Sequence, residues 1–148
     1  MPANPLITQG TLNRLRGSVT IANFPNLNVT GPYLGKAGIS MSLDGESTLF
    51  IPTMTGAVTS PEPYMMATVT INLLKTQSLA SLYKAQMEAT SLIGNFYVRV
   101  DTSSLPDYQM TNGAIQSVRE LSFAGEDAGY VVALRAYYIL NNNLWNLT

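Results

Sequence analysis

Apolar and polar residues alternate along most of this chain with a period of two, as they do in strands that bury one face. The cleanest run is Tyr64 to Leu74, with Met65, Ala67, Val69, Ile71 and Leu73 on one face and Thr68, Thr70 and Asn72 on the other. The same pattern predicts a first strand over Leu15–Ala22, its Leu15, Val19 and Ile21 opposing Arg16, Ser18 and Thr20. A second is expected over Gly38–Leu43, where Ile39, Met41 and Leu43 oppose Ser40, Ser42 and Asp44. Asp44-Gly45 after it is a hairpin-type turn signal. Later strands are predicted over Phe96–Asp101, Tyr108–Met110, Ala114–Ala124 and Gly129–Leu140, with turns at Asn112-Gly113 and Ala124–Gly129. Thr48–Thr59 also reads as strand, but Pro52 and Gly56 lie inside it. Proline cannot donate to a ladder, so this piece is an edge, a bulge or a loop arm.

Only Thr76–Thr90 has helical spacing. Leu79, Leu82, Tyr83 and Met87 recur on one face, and Thr76 or Ser78 stands ready to cap the start. Strands, one helix, then strands, with no βα repeat, predicts a mainly β fold: an antiparallel sandwich or barrel with a single packed helix. The 148 residues suffice for one domain, 1–148, with an N-terminal arm (1–13), an extended arm (49–63) and a C-terminal tail (144–148).

Composition narrows the chemistry. There is no histidine and no cysteine. Zinc sites built on those ligands, haem and iron–sulfur ligation, thiol nucleophiles and Ser-His-Asp triads are therefore closed to this chain. The remaining candidates are weak. Glu126/Asp127 and Asp44/Glu46 are adjacent turn acids rather than carboxyls set across a cleft. Lys36, Lys75 and Lys84 read as surface lysines. Gly31–Lys36 lacks the Gly-Lys-Ser/Thr ending of a phosphate loop. Asn28-Val29-Thr30 and Asn146-Leu147-Thr148 match the glycosylation triplet without a secretion signal to make it meaningful. The expectation is a protein that is not an enzyme and uses no cofactor or metal.

Charge points the same way. The net charge is −1 and only 11% of residues are charged, where soluble domains average about 25%. The eight basic residues are scattered, which argues against a nucleic-acid reader. No run is long and apolar enough to span a membrane, so a soluble, cytoplasmically made protein with no membrane insertion is expected. Charge is depleted where surfaces meet other chains, so scarce charge favours an oligomer.

Several segments together resemble the tail tube proteins of long-tailed bacteriophages, the contractile-tail kind in particular. They are Asn4–Arg14, Phe24–Val29, the arm Ile51–Gly56, Ser60–Tyr64 with the strand it opens, the helix from Thr76, and Glu120–Gly125. The resemblance implies a β-sandwich or small barrel with one helix. It implies six copies in a ring, rings stacked into a tube, and sheets of neighbouring copies joined into a barrel around a lumen. It implies a virion tail protein, assembled in the bacterial host cytoplasm, with sheath, baseplate and terminator proteins as partners. Genomic DNA would pass through on ejection without specific binding. A conduit for DNA should offer few cations to phosphate, and alternation nominates Ser40, Ser42, Asp44, Thr68, Thr70 and Asn72 for the lumen wall. Contacts between copies are expected from the low-charge arms, at Leu6, Ile7, Leu12, Ile51, Pro52, Met54, Pro61, Pro63, Leu144 and Trp145. Two alternatives stand beside this reading. One is a related ring-forming tube or terminator component of a contractile or secretion apparatus. The other is a small β-sandwich carbohydrate-binding module, for which Tyr137, Tyr138 and Trp145 form no evident platform.

Overall fold

The computed structural model describes residues 15–76, 78–101, 105–119 and 129–145. Six strands form one antiparallel sheet: β1 (Gly17–Ile21), β2 (Leu34–Asp44), β5 (Tyr64–Leu74), β6 (Leu92–Val100), β7 (Tyr108–Arg119) and β8 (Gly129–Ile139). Their order is β1-β6-β7-β8-β5-β2. The strands β3 (Thr48–Pro52) and β4 (Ala57–Pro61) pair only with each other, as a hairpin apart from the main sheet. The helix α1 (Leu79–Ala89) links β5 to β6, and a single turn, α2 (Asn142–Trp145), follows β8. The expected mainly β antiparallel fold with one packed helix is what forms, as a sheet curled into a half-barrel rather than as two stacked sheets.

Alternation decides which face is buried. On β5, Ala67, Val69, Ile71 and Leu73 are fully buried. They meet Val132, Leu134 and Ala136 of β8, Phe96 and Val98 of β6, Met110 and Ile115 of β7, and Val19 and Ile21 of β1 in one core. Fully burying one such Leu or Ile stabilises the fold by roughly 1.5–3 kcal/mol. Helix α1 covers this face with Leu79, Ala80 and Tyr83 buried. Leu27 and Val29, beside a 3-10 turn at Pro25–Leu27, fill the remaining gap. The Tyr83 hydroxyl donates to the Leu27 carbonyl at 2.7 Å, so its one polar atom is satisfied inside the core. Burial pushes the Tyr83 phenol well above the usual tyrosine range.

The two ends of the sheet approach each other without pairing. A Cβ on Gly17 of β1 would lie 3.2 Å from Ile39 Cδ1 of β2, so only glycine permits this closeness without displacing Ile39. Beside that contact runs a groove of about 500 Å³ lined by Leu15, Gly35, Gly38 and Ile39 among others. The free side of β1 is partly covered, because Val19 and Val29 exchange backbone hydrogen bonds of 3.0 and 2.9 Å. Edge strand β2 has no strand partner on its far side among the described residues.

Several sequence expectations shift for identifiable reasons. The first strand begins at Gly17, which leaves Leu15 exposed. Strand β2 starts earlier, at Leu34, because a bulge between Leu34 and Ile39, with Gly38 at φ 68°, lets the ladder to β5 continue. Asp44-Gly45 ends β2 but makes no hairpin with β3, which pairs with β4 instead. Asn112-Gly113 is not a turn between two strands. It is a bulge inside the single strand β7, with Asn112 at φ 51°. Helix α1 starts at Leu79 without a side-chain cap from Ser78, and Leu82 is exposed. At its other end Ser91, at φ 64°, donates its N–H to the Gln86 carbonyl, while Gly94 lies within β6.

Candidate assembly surfaces and the polar sheet face

The face of β2, β5 and β8 turned away from the core carries the six residues nominated from alternation. Cross-strand register sets Ser40 opposite Thr70 and Ser42 opposite Thr68, with Asp44 opposite Met66. Ser40, Ser42 and Asp44 are exposed; Thr68, Thr70 and Asn72 are half-buried. Asn72 Nδ2 donates to the Gly38 carbonyl at 2.9 Å, fastening the bulge of β2 to β5. All six thus share one face of the sheet.

Sequence reasoning missed the residue at the centre of this face. Arg135 on β8 stands directly opposite Thr68. Its Nη1 donates to Asp44 Oδ2 at 3.1 Å and to Thr68 Oγ1 at 2.9 Å. Thr68 Oγ1 donates in turn to Asp44 Oδ2 at 3.0 Å, and Ser42 Oγ to Asp44 Oδ1 at 3.3 Å. One carboxylate therefore gathers a guanidinium and two hydroxyls across three strands. The available signal was the alternation Leu134-Arg135-Ala136, which puts Arg135 outside the core, but its partner lies 91 positions away. The other two arginines with described side chains are also paired to aspartates. Arg16 Nε lies 2.7 Å from Asp101, and Arg99 Nε lies 3.5 Å from Asp107. The backbone N–H of Arg16, then its guanidinium, hold the Asp101 carboxyl below the usual aspartate range. Arg99 also stacks over Tyr97, 4.9 Å from the ring centre.

The hairpin β3–β4 has the opposite character. Phe50 is 67% exposed, Met54 is fully exposed, and Leu49, Ile51 and Val58 are exposed as well. Ile51 faces Val58 and Phe50 faces Thr59 across the ladder, and Pro52 closes β3 opposite Ala57. An isolated two-stranded hairpin is marginally stable in water. This one is anchored at its base, where the Glu62 N–H donates to the Ser47 carbonyl at 2.9 Å. Asn141 Nδ2 also donates to the Glu62 and Ser47 carbonyls at 2.6 and 3.2 Å.

Of the nominated contact residues, Ile51, Pro52 and Met54 are exposed on the hairpin. Pro61 and Pro63 are half-buried at its base, and Leu144 is exposed on α2. Leu6, Ile7 and Leu12, and the Trp145 side chain, lie outside the described residues. The structure does not bring the hairpin and the polar face together; they are separate surfaces. The Tyr137 and Tyr138 rings turn to different neighbours, Tyr64 at 5.7 Å and Tyr108 at 5.6 Å, and make no shared flat platform. Among the described residues no helix is long and apolar enough to cross a membrane, and no three acidic side chains group as metal ligands.

No protein-family model matches the chain, and no curated protein matches it. Solved structures do match. The chain is similar to the anti-feeding prophage cap, described as the AFP tube-terminating cap, solved by cryo-electron microscopy. The TM-score is 0.54 at 13% identity, over 93% of this chain and 97% of that chain. At that identity the likeness establishes a shared fold, a half-barrel that extends over nearly the whole of both chains.

Proposed function

We propose that this protein is a ring-forming structural subunit of the tube of a contractile, phage-tail-like apparatus, of the kind that terminates a tube. One observation carries the reading: an apolar hairpin and, among the described residues, an edge of β2 without a strand partner are displayed on different parts of the same domain. Edge strands left open invite pairing with another chain, and exposed apolar patches of this kind mark sites of association. Two dissimilar surfaces that complement each other give head-to-tail contacts, and these close into a ring when the rotation allows. The fold shared with a tube-terminating cap supplies the apparatus and favours a terminating ring over a repeating tube subunit. The segments that resemble tail tube proteins keep the repeating subunit as the second reading.

In this arrangement six copies form the ring. Edge strand β2 pairs with a neighbour, the hairpin docks on the next copy in the ring, and the polar face of β2, β5 and β8 lines the channel. Tube, sheath and baseplate proteins are its partners, and it catalyses no reaction. Negative-stain electron microscopy of the purified chain tests the reading. Isolated rings with a central hole are expected, and long filaments would favour the repeating subunit. A compact monomer at high concentration would overturn both.

A further inference from the structure

The geometry points to Asp44 as a charge lock that keeps the polar face from holding a polyanion. This rests on the proposed channel role of that face. Strands β5 and β8 together contain one basic residue, Arg135, and the only other one in the three strands is Lys36, eight positions along β2 from Asp44. Arg135 is thus the one guanidinium on this face of β2, β5 and β8, set among the hydroxyl and amide side chains of Ser40, Ser42, Thr68, Thr70 and Asn72 and flanked toward one end by Met66 and Tyr137. Its side chain is 36% exposed, so a phosphate passing along the wall could reach it. An unpaired guanidinium there would bind phosphate oxygens bidentately. In a ring it would be repeated by every copy, and phosphate contacts summed along a strand make binding strong and salt-dependent.

Asp44 prevents this at short range. Its carboxylate takes the Arg135 Nη1 at 3.1 Å, and Thr68 Oγ1 takes the same nitrogen at 2.9 Å. Thr68 and Ser42 in turn orient the carboxylate. Both contacts fall on one guanidinium nitrogen, Nη1, which is thereby directed to protein oxygens, and the carboxylate beside it brings the local charge near zero. A simple wish to avoid cations would have left no arginine there at all. The arginine serves to tie edge strand β2, through Asp44, across β5 to β8, and the aspartate lets it do so without gripping cargo. Arg16–Asp101 and Arg99–Asp107 show the same pairing habit elsewhere on the surface.

Two readouts on the full chain test this. Phenylglyoxal modification of Arg135, followed by peptide mapping on unassembled protein, reports whether Asp44 sequesters the guanidinium. Co-sedimentation of a fluorescent double-stranded DNA oligonucleotide with assembled particles reports whether the face meets polyanion. Asp44→Ala is expected to speed modification of Arg135 several-fold. It is also expected to raise retained DNA, with a log–log salt slope steeper by about 0.9 for each arginine that engages a phosphate. Asp44→Ala/Arg135→Gln should return DNA retention to the wild-type level. Unchanged Arg135 reactivity in Asp44→Ala would overturn the lock whatever the DNA does. Faster modification with wild-type DNA retention would overturn the anti-adhesive role and put the fault in the channel placement rather than in the ion pair. Should Asp44→Ala not assemble, Asp44→Asn, which keeps an acceptor but removes the charge, supplies the DNA measurement.

Discussion

Replacing Phe50 by threonine separates folding from assembly. Phe50 sits in β3, outside the core, and 67% of it is exposed. Threonine keeps the strand preference of the position, so the change to the isolated chain is expected within about 0.5 kcal/mol, as for surface substitutions generally. If a neighbouring copy covers the ring, the loss is much larger. Full burial of a phenylalanine is worth about 1.5–3 kcal/mol. The exposed two-thirds is then worth roughly 1–2 kcal/mol per contact, or about 5- to 30-fold in each association constant. A ring of several such contacts multiplies that factor. Sedimentation velocity across a concentration series should show Phe50→Thr as monomer where wild type forms rings, while thermal melts of dilute monomer coincide. Wild-type assembly by Phe50→Thr would refute the role of the hairpin as a docking arm. A lowered melting temperature of the monomer would refute the claim that the ring contributes nothing to its own domain.

Three further outcomes follow from the core and the sheet. Tyr83→Phe leaves the Leu27 carbonyl without its 2.7 Å donor and should cost about 1–3 kcal/mol, read by urea denaturation. The raised pKa of Tyr83 also gives a pH signature: its contribution is intact below the unfolded tyrosine pKa of about 10 and is lost progressively as pH rises beyond it, so wild type should lose stability there more steeply than Tyr83→Phe. Gly113→Ala would set a Cβ 2.3 Å from Phe96 Cε1 and 2.8 Å from the Gly94 carbonyl oxygen; Phe96 is fully buried and cannot step aside, so thermal melts should show a loss at or above the upper end of the roughly 1–3 kcal/mol typical of overpacking. Thr70→Lys should assemble normally yet slow DNA passage if Thr70 lines the channel, and unchanged passage through intact particles would remove Thr70 from the wall.

Legibility followed the range of the interactions. Strand β5 was readable to both ends because its alternation is local and unbroken from Tyr64 to Leu74. The segment around Pro52 was readable only as an edge, a bulge or a loop arm; the structure makes it a hairpin of its own, in which Pro52 ends β3 and Gly56 lies in the turn before β4. Asn112-Gly113 misled because its chemistry was right and its context was not. Asn112 takes the left-handed conformation that asparagine tolerates, but Phe96 packs over Gly113 and the chain continues as a bulged strand rather than reversing. Arg135 was invisible as a site residue because its role depends on β8 pairing with β5, and on β5 pairing with β2. Nothing near position 135 encodes Asp44.

The strand order has a consequence in time as well as in space. Strand β1 pairs with β6, about 80 residues later in the chain, and β5 pairs with β8, about 65 residues later. Sheets built from such distant pairings close slowly, because loop entropy is lost before the contacts repay it. On a ribosome, β2 and its hairpin emerge early but are fastened to β8 only when Arg135 has been made. Edge strand β2 thus takes its final form only after β8 has been made, and a chain cut short of β8 offers no finished edge.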